Sequence, residues 1–192
     1  MMKEQKLYDK YLDGRHRENH PTIYAEKFID FLKKNIFDAL IVDVGCGDGR
    51  DVNTFSKEGF NILWVDYSEN EINIAYKKFP EQKFEVQIAE ELNFEDNSVW
   101  AFFMINVIHY LDKKKAIEEI LRTLQPKGYF FIHFNIDIAD KNWNIDYHHD
   151  QDNIMELVKD FNIIHQDIFE RVDQKPVEHK HKIIELILQK NN

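Results

Sequence analysis

Cysteine is almost missing from this chain. Cys46 stands alone among 192 residues, and one thiol cannot close an intrachain disulfide, so nothing points to an oxidising compartment. Long apolar runs are missing too. The longest apolar-rich stretches, such as residues 99–108, are far too short to span a bilayer. The opening residues Met1-Met2-Lys3-Glu4-Gln5-Lys6 lead into no apolar segment of the signal-peptide kind. No membrane partner is expected, and the expected location is cytoplasmic. Positive charge is scarce, with 25 Lys and Arg against 35 Asp and Glu and a formal net charge of −10. A phosphate backbone calls for a basic surface, so nucleic acid is not the expected partner. The richest basic stretches, Lys113-Lys114-Lys115 and residues 175–182, are small and diluted by acids.

What is present suffices for one well-buried domain and is short for two, since 43% of the residues are hydrophobic. Apolar-rich runs alternate with amphipathic stretches, the rhythm of repeated β-α units. A first helix is expected over 21 to about 34, with Ile23, Phe28, Ile29, Phe31 and Leu32 on its apolar face. The near-continuous apolar run 39–44 reads as a strand covered on both faces. A short helix over 50–57 stops at Gly59. A strand follows at 61–65, and Ser68 with Glu71 has the capping-box spacing that starts a helix to about 78. Strands are expected at 83–88, 99–107 and 129–134, and a helix capped by Asp112 runs to 124. Residues 135–150 read as a long polar loop and 152–160 as a helix. The stretches 162–172 and 182–189 have no helix between them and should pair antiparallel.

Three of the six glycines crowd into Gly45-Cys46-Gly47-Asp48-Gly49. The cluster follows a buried strand and opens a helix, where glycine permits a sharp turn and lets a ligand lie against the backbone. The dinucleotide fingerprint G-x-G-x-x-G is not met, because Arg50 takes the third glycine's place. A phosphate loop of the Walker type is excluded, since no Gly-Lys-Ser/Thr follows. Asp66 ends the second strand, where a carboxylate can accept two hydrogen bonds from ribose hydroxyls. Asp43, Asp48 and Asp51 surround the loop and only Arg50 opposes them. That set repels a pyrophosphate and attracts a cationic ligand.

The segment Val42-Asp43-Val44-Gly45-Cys46-Gly47-Asp48-Gly49 resembles motif I of the class I S-adenosylmethionine-dependent methyltransferases. Val65-Asp66-Tyr67-Ser68 resembles the acidic end of their second strand, and residues 89–98 their passage from the third strand to the fourth. Residues 106–111 and 124–129 resemble the fourth-strand end and the turn into strand five. The likeness runs in order over about 38–135. It implies an α/β fold: a Rossmann-like three-layer sandwich whose seven-stranded sheet is mostly parallel, with an antiparallel C-terminal strand. It divides residues 1–192 into a cap segment (1–20), a cofactor-binding core (38–135) and a substrate-side part (136–192). The implied activity is methyl transfer from S-adenosylmethionine to a small-molecule acceptor. Gly45 and Gly47 would approach the methionyl part, beside Asp43 and Cys46. Asp66 would hold the ribose, Tyr67 would lie against the adenine, and Ala89 would offer its backbone N–H to that ring. Asn106 would line the methionyl end, and Tyr11 would close over it. Two positions depart from the pattern. Ile88 stands where members carry an acid for the adenine amino group, with Glu90 as a substitute. Trp100 stands where members tend to have aspartate. These departures motivate a second reading, a regulatory protein that binds the cofactor without turnover.

Methyl transfer from a sulfonium is an in-line displacement in which the protein supplies alignment. A base is needed only if the nucleophile must lose a proton. His109 and His133, at the ends of strands four and five, are the catalytic candidates. No metal site is expected: His148 and His149 are adjacent and point apart, and His179 and His181 read as exposed hairpin residues. Trp143 and Tyr147 are candidates for a substrate pocket. The sequence leaves the oligomeric state open.

Overall fold

The computed structural model describes residues 22–34, 39–139, 145–148, 151–173 and 178–192, with the backbone alone for 145–148, 151–152 and 173. Among the described residues eight strands form one sheet: β1 (Ile41–Val44), β2 (Ile62–Asp66), β3 (Lys83–Val86), β4 (Val99–Ile105), β5 (Leu124–Ala139), β6 (Ile145–His148), β7 (Phe161–Asp173) and β8 (His179–Lys190). The helices are α1 (Ile23–Leu32), α2 (Val52–Ser56), α3 (Glu69–Lys78), α4 (Lys113–Thr123) and α5 (Gln151–Leu157), with a 3-10 turn over Ile108–Tyr110. The main path orders the strands β3-β2-β1-β4-β5-β8-β7, with β6 beside β5. Pairing is parallel from β3 through β5, and β8 runs antiparallel to both β5 and β7. This is the expected seven-strand sheet, with β6 as an addition. Among the described residues no helix is long and apolar enough to cross a membrane.

Each face of the sheet carries its own core. On one, Phe28 of α1 stacks with Phe103 and meets Phe131, while Phe55 of α2 meets Trp64 edge to face. On the other, Ile117 and Ile120 of α4 and Ile154 of α5 pack with Phe102, Phe130 and Ile132. The local signals behind these helices are visible. Ser68 Oγ accepts from the Glu71 N–H and Asp112 Oδ1 from the Lys115 N–H, as their spacing predicts. Thr22 caps α1 in the same way, its Oγ accepting from the Ala25 N–H. Thr22→Ala should therefore lower stability by about 1 kcal/mol in urea denaturation, the usual value of such a cap.

Three expectations are corrected. Ile23 points outward at 61% exposure, and the buried face of α1 is Tyr24, Ala25, Phe28, Ile29 and Leu32. The expected loop over 135–150 begins as strand, because β5 continues to Ala139 and β6 pairs with its end. Asn135 and Asp137 alternate there with Ile136 and Ile138, which reads as polar by composition and as strand by period. Finally, His181 is not an exposed hairpin residue but is buried, at 7% exposure.

Candidate functional site

β1 and β4 are neighbours in the sheet although β2 and β3 lie between them in sequence. The chain reverses its direction of sheet growth there, and in such sheets ligands bind in the crevice at the carboxyl ends of those two strands. The glycine loop fills the β1 side. Gly45, Gly47 and Gly49 all have left-handed backbones, with φ of 80°, 55° and 86°. The N–H groups of Gly45 and Cys46 both donate to the Val65 carbonyl, at 2.7 and 3.1 Å, which turns the chain sharply off the sheet. A Cβ on Gly45 would lie 2.2 Å from Val107 Cγ2, so the loop and the end of β4 touch. A Cβ on Gly47 would meet nothing closer than Glu71 Oε2 at 3.9 Å, so this glycine faces open space.

Asp66 is held where the loop turns. Its carboxylate accepts from the Gly47 N–H and the Ser68 N–H, each at 2.9 Å, and its carbonyl accepts from the Gln87 N–H. It is not alone. Asp43, Asp51, Asp66 and Glu71 surround the loop at 4–5% exposure each. Burial raises the Asp66 carboxyl above its ordinary value, against the pull of its backbone donors. Burial, and then Asp51, push Asp43 well above it. Asp51 also accepts from the Thr22 N–H at 2.6 Å, tying the start of α1 to the loop, and Arg50 lies 3.4 Å from its other oxygen. Lys78 pairs with Asp48 on the outer side. Cys46 is buried, and its thiol is pushed well up by burial and the nearby aspartates, so it stays a neutral packing group.

On the β3 side, Ala89 is buried while Val86 and Ile88 are each 51% exposed, an apolar shelf beside Asp66. Ile88 and Glu91 form a bridge that folds this segment over. Glu90 does not face the shelf freely, because its Oε1 accepts from the Asp112 N–H at 3.0 Å. Tyr67 lies half-buried next to Asp66. On the β4 side, Asn106 has a left-handed backbone (φ 58°), and its N–H donates to the His133 carbonyl at 2.8 Å. His109 sits in the 3-10 turn with its ring 4.2 Å from that of Tyr110. His133 is 1% exposed beneath the Tyr24 ring, 3.8 Å between centroids, and neither ring nitrogen has a hydrogen-bond partner. Burial lowers its pKa to about 3. Trp100 lies at the start of β4, at the opposite end of the strand from Asn106 and roughly 20 Å from it at ordinary strand rise. Its departure from the family pattern is therefore remote from the crevice.

Sequence reasoning missed Glu71, whose capping-box spacing was its only signal, and the buried pair Asn135 of β5 and His181 of β8. Tyr11, Trp143 and His149 lie outside the described residues, as do the side chains of Tyr147 and His148. Among the described residues no cluster of three or more His, Cys, Asp or Glu could hold a metal ion.

Residues 42–132 match the profile of a family described as a methyltransferase domain. An uncharacterized methyltransferase of Mycobacterium bovis is 27% identical over 115 residues, covering 60% of this chain and 46% of that protein. The chain thus spans about half the length of that relative. The fold is similar to that of an S-adenosylmethionine-dependent methyltransferase from Methanosarcina mazei, with TM-score 0.69 and 17% identity, covering 84% of this chain and 97% of that one. It is also similar to a phosphoethanolamine N-methyltransferase of Haemonchus contortus solved with S-adenosylhomocysteine, with TM-score 0.67 and 14% identity, covering 99% and 58%. The glycine loop, the buried aspartate after β2 and the sheet order agree with this match, and together they support a methyltransferase domain of the class I S-adenosylmethionine-dependent kind over residues 42–132.

Proposed function

We propose that this protein binds S-adenosylmethionine in the crevice between β1 and β4 and transfers its methyl group to a small-molecule acceptor. The observation that carries the reading is the ring of four buried carboxylates, Asp43, Asp51, Asp66 and Glu71, with the Arg50 guanidinium beside Asp51. Gathering carboxylates in a buried site costs stability, through desolvation and mutual repulsion. A ligand with an ammonium and a sulfonium group offsets that cost, and a pyrophosphate would add to it. Gly45, Cys46 and Gly47 would take the methionyl part against Asp43 and Asn106. Asp66 would take the ribose hydroxyls. Tyr67 and the Ile88 shelf would sandwich the adenine, with Ala89 offering its N–H. Glu90, engaged with the start of α4, would act through backbone position. His109 would stand at the acceptor edge, and His133, buried against the Tyr24 ring, would form part of the wall. The segment carrying Tyr11 would cover the crevice. The acidic balance of the chain favours a small acceptor over nucleic acid, and the single buried thiol suits a cytoplasmic setting. The reading of a cofactor-binding protein without turnover loses one of its two supports, since Trp100 is remote from the crevice.

Calorimetry with S-adenosylmethionine, S-adenosylhomocysteine and NAD tests the proposal. Binding of the two sulfur compounds is expected, and binding of NAD alone would sink it. Asp43→Asn separates stability from function. Asp43 holds its proton more tightly when folded than when unfolded. As pH rises above the ordinary carboxylate range, the unfolded chain releases this proton first, and unfolding becomes easier. An amide at this position removes that contribution, so the variant should melt higher than the parent at pH 7–8, with the gap closing towards pH 4. Its affinity for S-adenosylmethionine should fall by roughly 30-fold, or about 2 kcal/mol, the range for losing a bond to a charged group.

A further inference from the structure

β7 is an outer strand of the sheet, and among the described residues β8 is its one sheet partner. The free edge of such a strand presents a row of N–H and C=O groups to any other strand. Proteins usually protect it with a short strand, a lysine, a proline or a bulge. β7 has little of this protection. It runs from Phe161 to Asp173 with neither lysine nor proline. Its bulge lies near the start, between Ile163 and His165, and from His165 to Asp173 the register against β8 is unbroken. Residues 162–167 are all exposed, as are Glu170 and Val172.

The charges on this edge are not balanced across β8. Beyond the bulge, His165, Asp167, Phe169 and Arg171 share one face, the face of α1, because Phe169 stacks with Tyr24. Asp167 stands directly opposite Glu185 of β8, and like charges so placed repel. Glu185 is itself held by Lys27 and His165. A cation brought to Asp167 from outside the chain would relieve that repulsion.

A second β7 can supply it in one register. A strand edge that pairs with its own copy does so about a two-fold axis, and each contact then occurs twice. With the axis normal to the sheet the two strands are antiparallel, opposite residues share a face, and one residue stands opposite itself. Centred on Asp167, Glu170 or Arg171, the pairing sets a charge against its own copy. Centred on Ile168, it sets His165 opposite Arg171 and joins no opposite charges. Centred on Phe169, it sets Asp167 opposite Arg171 of the second copy, twice, with the two Phe169 rings against each other. Ile168 then faces Glu170 and Gln166 faces Val172, so no like charges meet. This register uses residues 165–173, the stretch free of the bulge. Arg171 already hydrogen-bonds Tyr24, and a guanidinium with five N–H donors can serve both partners.

We propose that a second copy of this chain docks on β7 through its own β7, antiparallel and with Phe169 on the two-fold axis, so that the two sheets join into one. β8 and β5 separate β7 from β4, so the crevice stays open in the pair. The dimer does not depend on which cofactor or acceptor the crevice takes.

Sedimentation velocity on the full chain over a concentration series tests the pairing. The parent should sediment as a dimer that dissociates on dilution, and hydrogen exchange over 165–173 should be slower in the dimer than in the monomer. Asp167→Arg sets arginine against arginine, and Arg171→Asp sets aspartate against aspartate. Each variant alone should have a dimer Kd roughly tenfold or more above the parent's, the effect of turning two attractive cross-strand pairs repulsive. Mixed in equal amounts the two variants should pair with each other, because every arginine then faces an aspartate. Circular dichroism establishes that each is folded. Asp167 is exposed, so Asp167→Arg decides the point even if Arg171→Asp does not fold. A parent that stays monomeric throughout, a dimer as tight in Asp167→Arg as in the parent, or folded single variants that do not pair when mixed would each overturn the proposal.

Discussion

Gly45→Ala is expected to lower folding stability by about 2–5 kcal/mol, combining the left-handed penalty of ~1–2 with ~1–3 for overpacking. It should also abolish cofactor binding. Both terms act at one atom. The residue has φ of 80°, and its Cβ would lie 2.2 Å from Val107 Cγ2 and 3.0 Å from Cγ1. Val107 cannot retreat easily, because it follows Asn106 at the fixed end of β4. Relief would come by moving the loop off β4, which opens the crevice between them. Two other glycines separate these contributions. Gly59 has φ of 75° with nothing within 4 Å of a Cβ, so Gly59→Ala should cost only about 1–2 kcal/mol. Gly47→Ala has a similar backbone penalty with space for the methyl group, but that space is the crevice. It should melt like Gly59→Ala and bind S-adenosylmethionine like Gly45→Ala. Denaturation midpoints and calorimetry on the three variants would show this. A Gly45→Ala protein within about 1 kcal/mol of the parent, below the smallest overpacking and backbone terms combined, would mean that the loop and β4 are not in contact.

Much of this site could be read from order along the chain. A strand, three glycines, a second strand ending in Asp66 and a capping serine at Ser68 are all local signals, and each has a local physical cause. The element ends follow for the same reason, since Ser68 and Asp112 cap with their own side chains. What stayed hidden depends on register between distant strands. Glu71 looks like a helix-capping residue until α3 is laid against the loop, where its carboxylate becomes a fourth buried acid. His181 looks like a surface residue among Lys180 and Lys182 until β8 is paired with β5 and the pleat turns it inward beside Asn135. A shift of one residue would send it to the other face. The β-bulge between Asn135 and Asp137 is part of that pairing, and no spacing rule in the sequence locates it. Ile23 is the converse case, an apolar residue that ends outside. A helix face is chosen by what it packs on, and Tyr24 faces inward because His133 and Phe169 are there to meet it.

Asp66→Ala should weaken S-adenosylmethionine by about 1–3 kcal/mol, roughly 5- to 150-fold, the range for lost hydrogen bonds to a charged group. It should also lower stability, because the folded protein already uses this carboxylate. The N–H groups of Gly47 and Ser68 both point at it at 2.9 Å, and alanine would leave both donors without an acceptor in a buried corner. One term opposes this loss. Burial raises the Asp66 carboxyl above its ordinary value, so its charge is held at some cost that alanine removes. Two orphaned donors at about 1–3 kcal/mol each outweigh that relief, so the net change should be destabilising. Asp66→Asn tests the division. Its amide keeps one acceptor oxygen and turns an NH2 towards the other of the two N–H donors, so stability should fall by about 1–3 kcal/mol, less than for Asp66→Ala, while affinity falls at least tenfold. The ribose would then face an N–H group where it needs an acceptor. If Asp66→Asn binds S-adenosylmethionine as the parent does, the ribose does not lie at the end of β2, and the carboxylate serves only to fasten the glycine loop.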